Sequence, residues 1–271
     1  MNIFKTRGLF LVLAVALTGC VTPPAEDFRK AMAAIAQPSA TDVRPVILAP
    51  APQPPADISS DIETILARHR IPGAVAVVLR GQTIIAEGSA GVRKRGSPEK
   101  VTLADRFEIA SSAKSISALV IARLVDQGML TWDRSVASYF PEEKLSPSWQ
   151  RVTLRELLSH TAGLKDPWIS FLLSAYTNHG SLRDQRAAFA RKILGRRPAH
   201  EPGVRVAYTN VDYILAAVIA ERATGENWET LVHWEVFVPL GLRSAGFGPP
   251  GEKSALSEPR GHGKVRVLHL G

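Results

Sequence analysis

The amino-acid sequence predicts an α+β fold, in which an antiparallel sheet is flanked by helices and carries a helical subdomain. Two short apolar segments come first, at 74–79 and 83–87, and the turn at 80–82 indicates a β-hairpin. Segments with a helical spacing of apolar residues follow, and 111–127 is the clearest of them. Strands that precede a run of helices, without alternation of the two, favour an α+β arrangement.

The other elements are predicted from helix and turn signals. Four apolar residues share one helix face and predict that the domain begins with a helix: Ile58, Ile62, Ile65 and Leu66. Gly88 and Gly91 are expected to end the hairpin. Three later helices are predicted at 153–159, 212–223 and 227–236, with Thr153 as the N-cap of the first and Gly225 ending the second.

The first 19 residues have the pattern of a signal peptide. Lys5 and Arg7 precede an apolar run at 8–17, which is too short to span a bilayer. The run ends in Leu-Thr-Gly-Cys at 17–20, which resembles a bacterial lipobox. That resemblance implies cleavage before Cys20 and lipid attachment to it, although a plain secretory signal that ends near a cysteine would look similar.

The chain therefore divides into a signal peptide (1–19), a tether (20–57) and one domain (58–271). The tether is predicted from its many Pro and Ala residues, which favour stiff, extended chain. The lipobox implies a lipid-anchored protein of the bacterial cell envelope. Val21 is compatible with the outer membrane and a domain that faces the periplasm. Cys20 is the single cysteine, so no internal disulfide can form.

The net charge of +8 has two interpretations. Basic residues are concentrated between Arg183 and Arg205, where only Asp184 and Glu201 oppose them. Such a segment is either a surface for anionic partners or a solvated helix face. Nucleic acid is not expected as a partner because no recognition motif accompanies the charge. The histidines are scattered, so no metal is expected, and no cofactor is implied.

The segment at 107–115 carries the candidate chemistry. Ser111 and Lys114 are three residues apart on a predicted helix, which makes their side chains neighbours. A serine hydroxyl becomes a good nucleophile when a base removes its proton. A lysine can be that base only when it is neutral, and the partial positive charge of a helix N-terminus favours the neutral amine. On its own, the pair also fits an N-cap serine followed by a surface lysine.

Several ordered motifs resemble the serine beta-lactamase and penicillin-binding superfamily, and most of all class C beta-lactamases and the related esterases and D-alanyl peptidases. The motifs are Ile-Pro-Gly-Ala at 71–74, the segment at 124–141, Leu-Leu-Ser-His-Thr-Ala-Gly-Leu at 157–164, Glu-Pro-Gly at 201–203, Tyr-Thr-Asn at 208–210 and Pro-Leu-Gly-Leu at 239–242. The resemblance implies that Ser111 is acylated, that Lys114 removes or relays its proton, and that Tyr208 shares the acid–base work. It also implies that Asn210 orients the substrate or Lys114, and that His160 is structural.

The family's third motif, K-T-G or H-x-G, is the main departure. His269-Leu270-Gly271 fits H-x-G in letters but lies too close to Tyr208 in sequence. The closing C-terminal strands are therefore expected to be missing, together with one oxyanion donor, which predicts slow acylation. The G-x-G-x-x-G pattern at 246–251 contains two prolines and is read as a turn.

Two functions remain open from sequence. The first is a serine hydrolase acting through an acyl-enzyme on a β-lactam, an ester or a peptidoglycan-derived amide, with a small molecule or cell-wall peptide as its partner. The second is an inactive truncated member of the family or a lipoprotein that binds cell-wall material. Ser111 and Lys114 do not separate the three substrate classes, because all three share the acyl-enzyme step.

Overall fold

The computed structural model describes residues 53–165, 180–252 and 255–262. The predictions about the signal peptide, Cys20, most of the tether and His269-Leu270-Gly271 fall outside these residues. Within them, no helix is both long and apolar enough to cross a membrane.

A small mixed sheet lies at the N-terminal end of the domain. Its strands are β1 (Ala56–Asp57), β2 (Gly73–Arg80) and β3 (Thr83–Gly91), in the order β1-β3-β2. The predicted hairpin is confirmed, since β2 and β3 pair antiparallel with an irregularity between Val78 and Leu79. The sequence does not predict β1, which pairs with β3 in parallel and includes the last two residues of the expected tether.

Gly88 does not end the hairpin, because β3 continues through it to Gly91. The first helix, α1 (Ser59–His69), packs against β3 and begins close to Gly88. A Cβ atom at Gly88 would lie 2.6 Å from the amide nitrogen of Ser59. Gly88 is therefore required for the close approach of α1 to β3. Close approach of another backbone segment is a common reason for a glycine within a strand.

The rest of the described chain is mainly helical. A 3₁₀ turn (Ala110–Ser112) leads into α2 (Ala113–Asp126). Two more 3₁₀ turns follow, at Val136–Tyr139 and Pro147–Gln150. The remaining helices are α3 (Leu154–Leu158), α4 (Leu182–Leu194), α5 (Asn210–Thr224) and α6 (Trp228–Val232), and α6 continues as a π-helical turn at His233–Phe237. The predicted helices are thus present, with ends that differ by one to three residues.

The core lies among these helices, and α5 runs through its centre. Leu215 and Ile219 of α5 are fully buried, and so are Ile121 and Leu124 of α2. Leu119, which follows the apolar pattern of α2, is exposed instead. Because α5 is buried on most sides, it has little amphipathic character. Its orientation is set by the helices that pack against it.

The basic segment is not simply a solvated face. Arg183 of α4 donates to the carbonyl oxygens of Glu221 (3.1 Å) and Gly225 (2.7 Å), at the C-terminal end of α5. Arg186 pairs with the carboxylates of Glu221 (2.6 Å) and Glu229 (2.7 Å). Cations are favourable where a helix ends in unpaired carbonyl groups. Two of the arginines therefore fasten α4 to α5 and α6.

Candidate active site

Ser111 lies where the chain enters α2. It occupies the middle of the 3₁₀ turn and is exposed to solvent. The preceding residue, Ala110, has a φ of 44°, in the left-handed region that costs a non-glycine residue roughly 1 kcal/mol. Strained backbone of this kind is concentrated at functional sites. The turn presents the Ser111 hydroxyl outward while α2 remains anchored in the core.

Lys114 is one helical turn beyond Ser111, and the expected contact is present. Its Nζ atom lies 3.3 Å from the Oγ atom of Ser111. The side chain is half-buried. Lys114 Nζ also donates to the Oδ1 atom of Asn210 over 2.8 Å, so its position is fixed from two sides.

Tyr208 and Asn210 reach the same place from the distant segment that starts α5. The Oη atom of Tyr208 lies 2.8 Å from Ser111 Oγ. The Lys114 ammonium lies 4.8 Å from the centre of the Tyr208 ring. Thr209 caps α5 by accepting a hydrogen bond from the Val211 amide over 3.1 Å, which leaves Asn210 as the first residue of the helix. Lys114 and Tyr208 thus both lie within reach of the Ser111 hydroxyl, and Asn210 joins the site through Lys114.

His160 lies in the turn after α3, next to the site. Its φ is 59°, and its Nδ1 atom is 2.7 Å from the Oδ2 atom of Asp212. Burial lowers the pKa of the imidazole below its ordinary value, and the positive charge of Lys114 lowers it further. The ring centres of His160 and Tyr208 are 4.7 Å apart.

Asp212 is the site residue that sequence reasoning missed. In sequence it only marks the first turn of a helix, whereas in the fold it is buried and bonded to His160. A carboxylate within the otherwise apolar first half of α5 is the signal that could have revealed it. Tyr213 accompanies it, and burial together with the charge of Asp212 raises the pKa of the Tyr213 phenol.

A cleft of about 570 Å³ borders the nucleophile turn. Aromatic and apolar side chains line much of it, including Phe107, Ile109, Trp228 and Phe247. The G-x-G-x-x-G segment forms one wall as irregular chain, in agreement with its reading as a turn. Across the described ranges, no three His, Cys, Asp or Glu side chains come together in a way that could hold a metal ion.

Comparison with known families identifies the class to which this fold and site belong. The beta-lactamase family model matches residues 58–268. The chain therefore belongs to the beta-lactamase family, and its α+β architecture is that of the beta-lactamase and transpeptidase-like fold.

Individual relatives agree with this placement. Penicillin-binding protein 4* of Bacillus subtilis is 28% identical over 180 residues, which are 66% of this chain and 39% of the relative. Protein flp of Staphylococcus aureus is 26% identical over 201 residues, 73% of this chain and 39% of that protein. The chain thus spans about two fifths of the length of the curated relatives it matches.

Solved structures give the same picture. The octameric penicillin-binding protein homologue from Pyrococcus abyssi matches with a TM-score of 0.57 and 26% identity, over 68% of this chain and 42% of that one. The D-amino acid amidase from Ochrobactrum anthropi complexed with D-phenylalanine matches with a TM-score of 0.54 and 25% identity, over 68% and 48% of the two chains.

Proposed function

We propose that this protein is a serine hydrolase that acts through an acyl-enzyme at Ser111. The observation that carries the proposal is the position of the Ser111 hydroxyl, which lies 2.8 Å from the Tyr208 phenol and 3.3 Å from the Lys114 amine. A nucleophile within hydrogen-bond reach of its base, with the base oriented by a third group, is the arrangement that activates serine. Asn210 is the orienting group, because it accepts from Lys114.

The proposed reaction has two halves. Ser111 Oγ attacks the carbonyl carbon of the substrate, and its proton passes to Lys114, directly or through Tyr208; Lys114 accepts it when its amine is unprotonated. The C–O⁻ group of the tetrahedral intermediate is stabilised by the backbone N–H of Ser111, at the start of the helix. The intermediate collapses, and the leaving oxygen or nitrogen takes the proton. Water then attacks the ester at Ser111, with the same groups acting in reverse.

The substrate class we propose is a β-lactam, an ester or a peptidoglycan-derived amide. The names of the relatives support this range, since one is a penicillin-binding protein and another a D-amino acid amidase. Ser111 is exposed and next to a largely apolar cleft, which suits a small molecule or a peptide end. No cofactor is needed for this chemistry.

Intact mass spectrometry tests the proposal. The full chain is incubated with a fluorophosphonate and, separately, with a penicillin. One adduct is expected on the wild type and on Ser112→Ala, and none on Ser111→Ala. Ser112 is a matched control because it lies in the same turn but has no lysine three residues later. A folded wild type without an adduct would favour the alternative, an inactive family member that binds cell-wall material.

We further propose that the protein is anchored to the cell envelope, at the outer membrane, through lipid on Cys20. The support is the signal-peptide pattern and the lipobox-like sequence at 17–20. Lipidation attaches acyl chains to the mature N-terminus. More than one chain is needed to hold a protein stably in a bilayer. Cys20→Ser is expected to move the protein from the membrane fraction to the soluble periplasmic fraction. Retention of the variant in the membrane would contradict anchoring through Cys20.

A further inference from the structure

His160, in the turn after α3, makes several of the contacts that join this turn to the start of α5. Its carbonyl oxygen accepts from the amide of Ala207 over 2.8 Å. Its ring Nδ1 atom bonds to Asp212 over 2.7 Å and lies 3.5 Å from the amide nitrogen of Thr209. The residue before Tyr208 and, through Asp212, the first turn of α5 are therefore both bonded to the same histidine.

The His160 side chain also limits where the Tyr208 ring can lie. The two ring centres are 4.7 Å apart at an angle of 46°, which is contact distance for aromatic rings. Tyr208 is 55% exposed, and the described groups beside its ring include His160 and Lys114, whose Nζ atom lies 4.8 Å from the ring centre. Its Oη atom must stay within hydrogen-bond reach of Ser111 Oγ to exchange a proton with it.

The backbone of His160 shows that its position is maintained at a cost. A φ of 59° is unfavourable for a non-glycine residue and persists only where surrounding contacts enforce it. The contacts that hold His160 are the backbone bonds to Leu157 (3.2 Å) and Ala207 (2.8 Å) and the side-chain bond to Asp212, whose side chain is 1% exposed. In the imidazole tautomer that carries its proton on Nδ1, that proton is donated to the Asp212 carboxylate.

We propose that His160, held by Asp212, is a positioning residue that fixes the Tyr208 ring against Ser111. This inference rests on the proposed function, since positioning matters only where Tyr208 acts on Ser111. His160 itself touches neither Ser111 nor the reacting atoms. Its effect is on the geometry of Tyr208, and a displacement of about 1 Å can slow an enzymatic step by about a hundredfold.

Substitutions at His160 test this without disturbing its backbone. His160→Gly accepts the positive φ and leaves the carbonyl bond to Ala207 in place, while removing the ring. His160→Asn also tolerates this φ and keeps an N–H donor for Asp212. Arg70→Gly is the matched control, because Arg70 has a φ of 54° and lies at the end of α1, away from the site.

The first readout is the rate of Ser111 acylation by a fluorophosphonate, measured with the full chain. We expect a decrease of about ten- to a hundredfold in His160→Gly, partial recovery in His160→Asn and no change in Arg70→Gly. Equal rates in the wild type and His160→Gly, at equal folded fraction, would overturn the positioning role. A wild type that is not acylated at all would overturn the proposed function instead.

The second readout does not depend on acylation. The chain contains four tyrosines, so ¹⁹F spectra of the protein labelled with fluorotyrosine are simple, and loss of one resonance in Tyr208→Phe assigns Tyr208. We expect the Tyr208 resonance to move towards that of a free tyrosine in His160→Gly and to stay in place in Arg70→Gly. An unmoved resonance in His160→Gly would overturn the inference whatever the acylation result.

Discussion

One hydroxyl, that of Ser111, is the point at which the distant parts of the site meet. Lys114 lies one turn away on the same helix, whereas Tyr208 and Asn210 come from a segment about a hundred residues later. Asn210 presents an uncharged oxygen to the lysine amine. The absence of charge on this oxygen is important, because a neutral acceptor orients the amine without favouring its protonated form as strongly as a carboxylate would.

Asn210→Asp is therefore expected to slow acylation of Ser111 at neutral pH. The new carboxylate would lie about 2.8 Å from Lys114 Nζ and stabilise the ammonium ion, which cannot accept the serine proton. Activity should recover as the pH is raised. The measurement is the acylation rate against pH, and Asn227→Asp, at the exposed start of α6, is the control. An unchanged profile in Asn210→Asp would show that Asn210 does not act on the lysine.

Among the elements, α3 has the largest influence on the site for its size. It is only five residues long, and its first turn is closed by a capping box between Thr153 and Glu156. The turn that follows it contains His160 and Thr161, which hold the chain before α5 through hydrogen bonds from Ala207 and Gly203. So short a helix depends on its cap and on burial of Leu154 and Leu157.

Thr153→Ala is expected to lower the free energy of unfolding by about 1 kcal/mol, because the Glu156 amide loses its partner. Thr153→Ser keeps the hydroxyl and should lose much less. Chemical denaturation of the two variants and the wild type measures the difference. Equal stabilities of Thr153→Ala and the wild type would show that the capping box does not stabilise the fold.

At the scale of the whole molecule, the segment at 255–262 ties the sheet to the nucleophile turn. The amide of Arg260 donates to the carbonyl of Arg93, just after β3, over 2.8 Å. Glu258 accepts from both the amide and the guanidinium of Arg106, each over 2.7 Å. Arg106 is five residues before Ser111, so the segment supports the chain that leads into the site.

This support is expected to weaken in acid. Hydrogen bonds from the Arg106 amide and guanidinium hold the pKa of Glu258 below its ordinary value of 4.5. The folded state then binds a proton less readily than the unfolded state, so the stabilisation is present above about pH 4.5 and is lost as the pH falls through the lowered pKa. Glu258→Gln should be less stable than the wild type at neutral pH, with a difference that narrows towards pH 3. A difference that is constant with pH in denaturation experiments would contradict this.

Local patterns were enough to predict much of this architecture. The hairpin follows from two short apolar segments on either side of the turn at 80–82, and the end of α5 follows from Gly225, which adopts positive φ. The meeting of Ser111 with Tyr208 was implied only by resemblance, because contacts across 97 residues leave no local signal. Three features depend on tertiary contacts and were not predicted: the parallel β1 pairing, the role of Gly88 and the buried Asp212.

The sheet leaves several large apolar side chains exposed to solvent. Val77, Val78 and Leu79 of β2 and Ile84 of β3 are exposed, whereas the helical core is closely packed. Within residues 53–165, 180–252 and 255–262, the outer edge of β2 pairs with no other strand. The helical part therefore provides most of the apolar burial, and it also holds Ser111, Lys114, Tyr208 and Asn210.

In the proposed mechanism, Lys114 and Tyr208 act on Ser111 as one proton-transfer unit. The most direct test compares acylation rates of Lys114→Met, Tyr208→Phe and the double variant by stopped-flow labelling with a fluorophosphonate. Groups that act as a unit are non-additive, so the double variant is expected to be no slower than the slower single variant. Each single change should cost roughly 10² to 10⁴ in rate. Losses that multiply in the double variant, or single variants as fast as the wild type, would contradict the account.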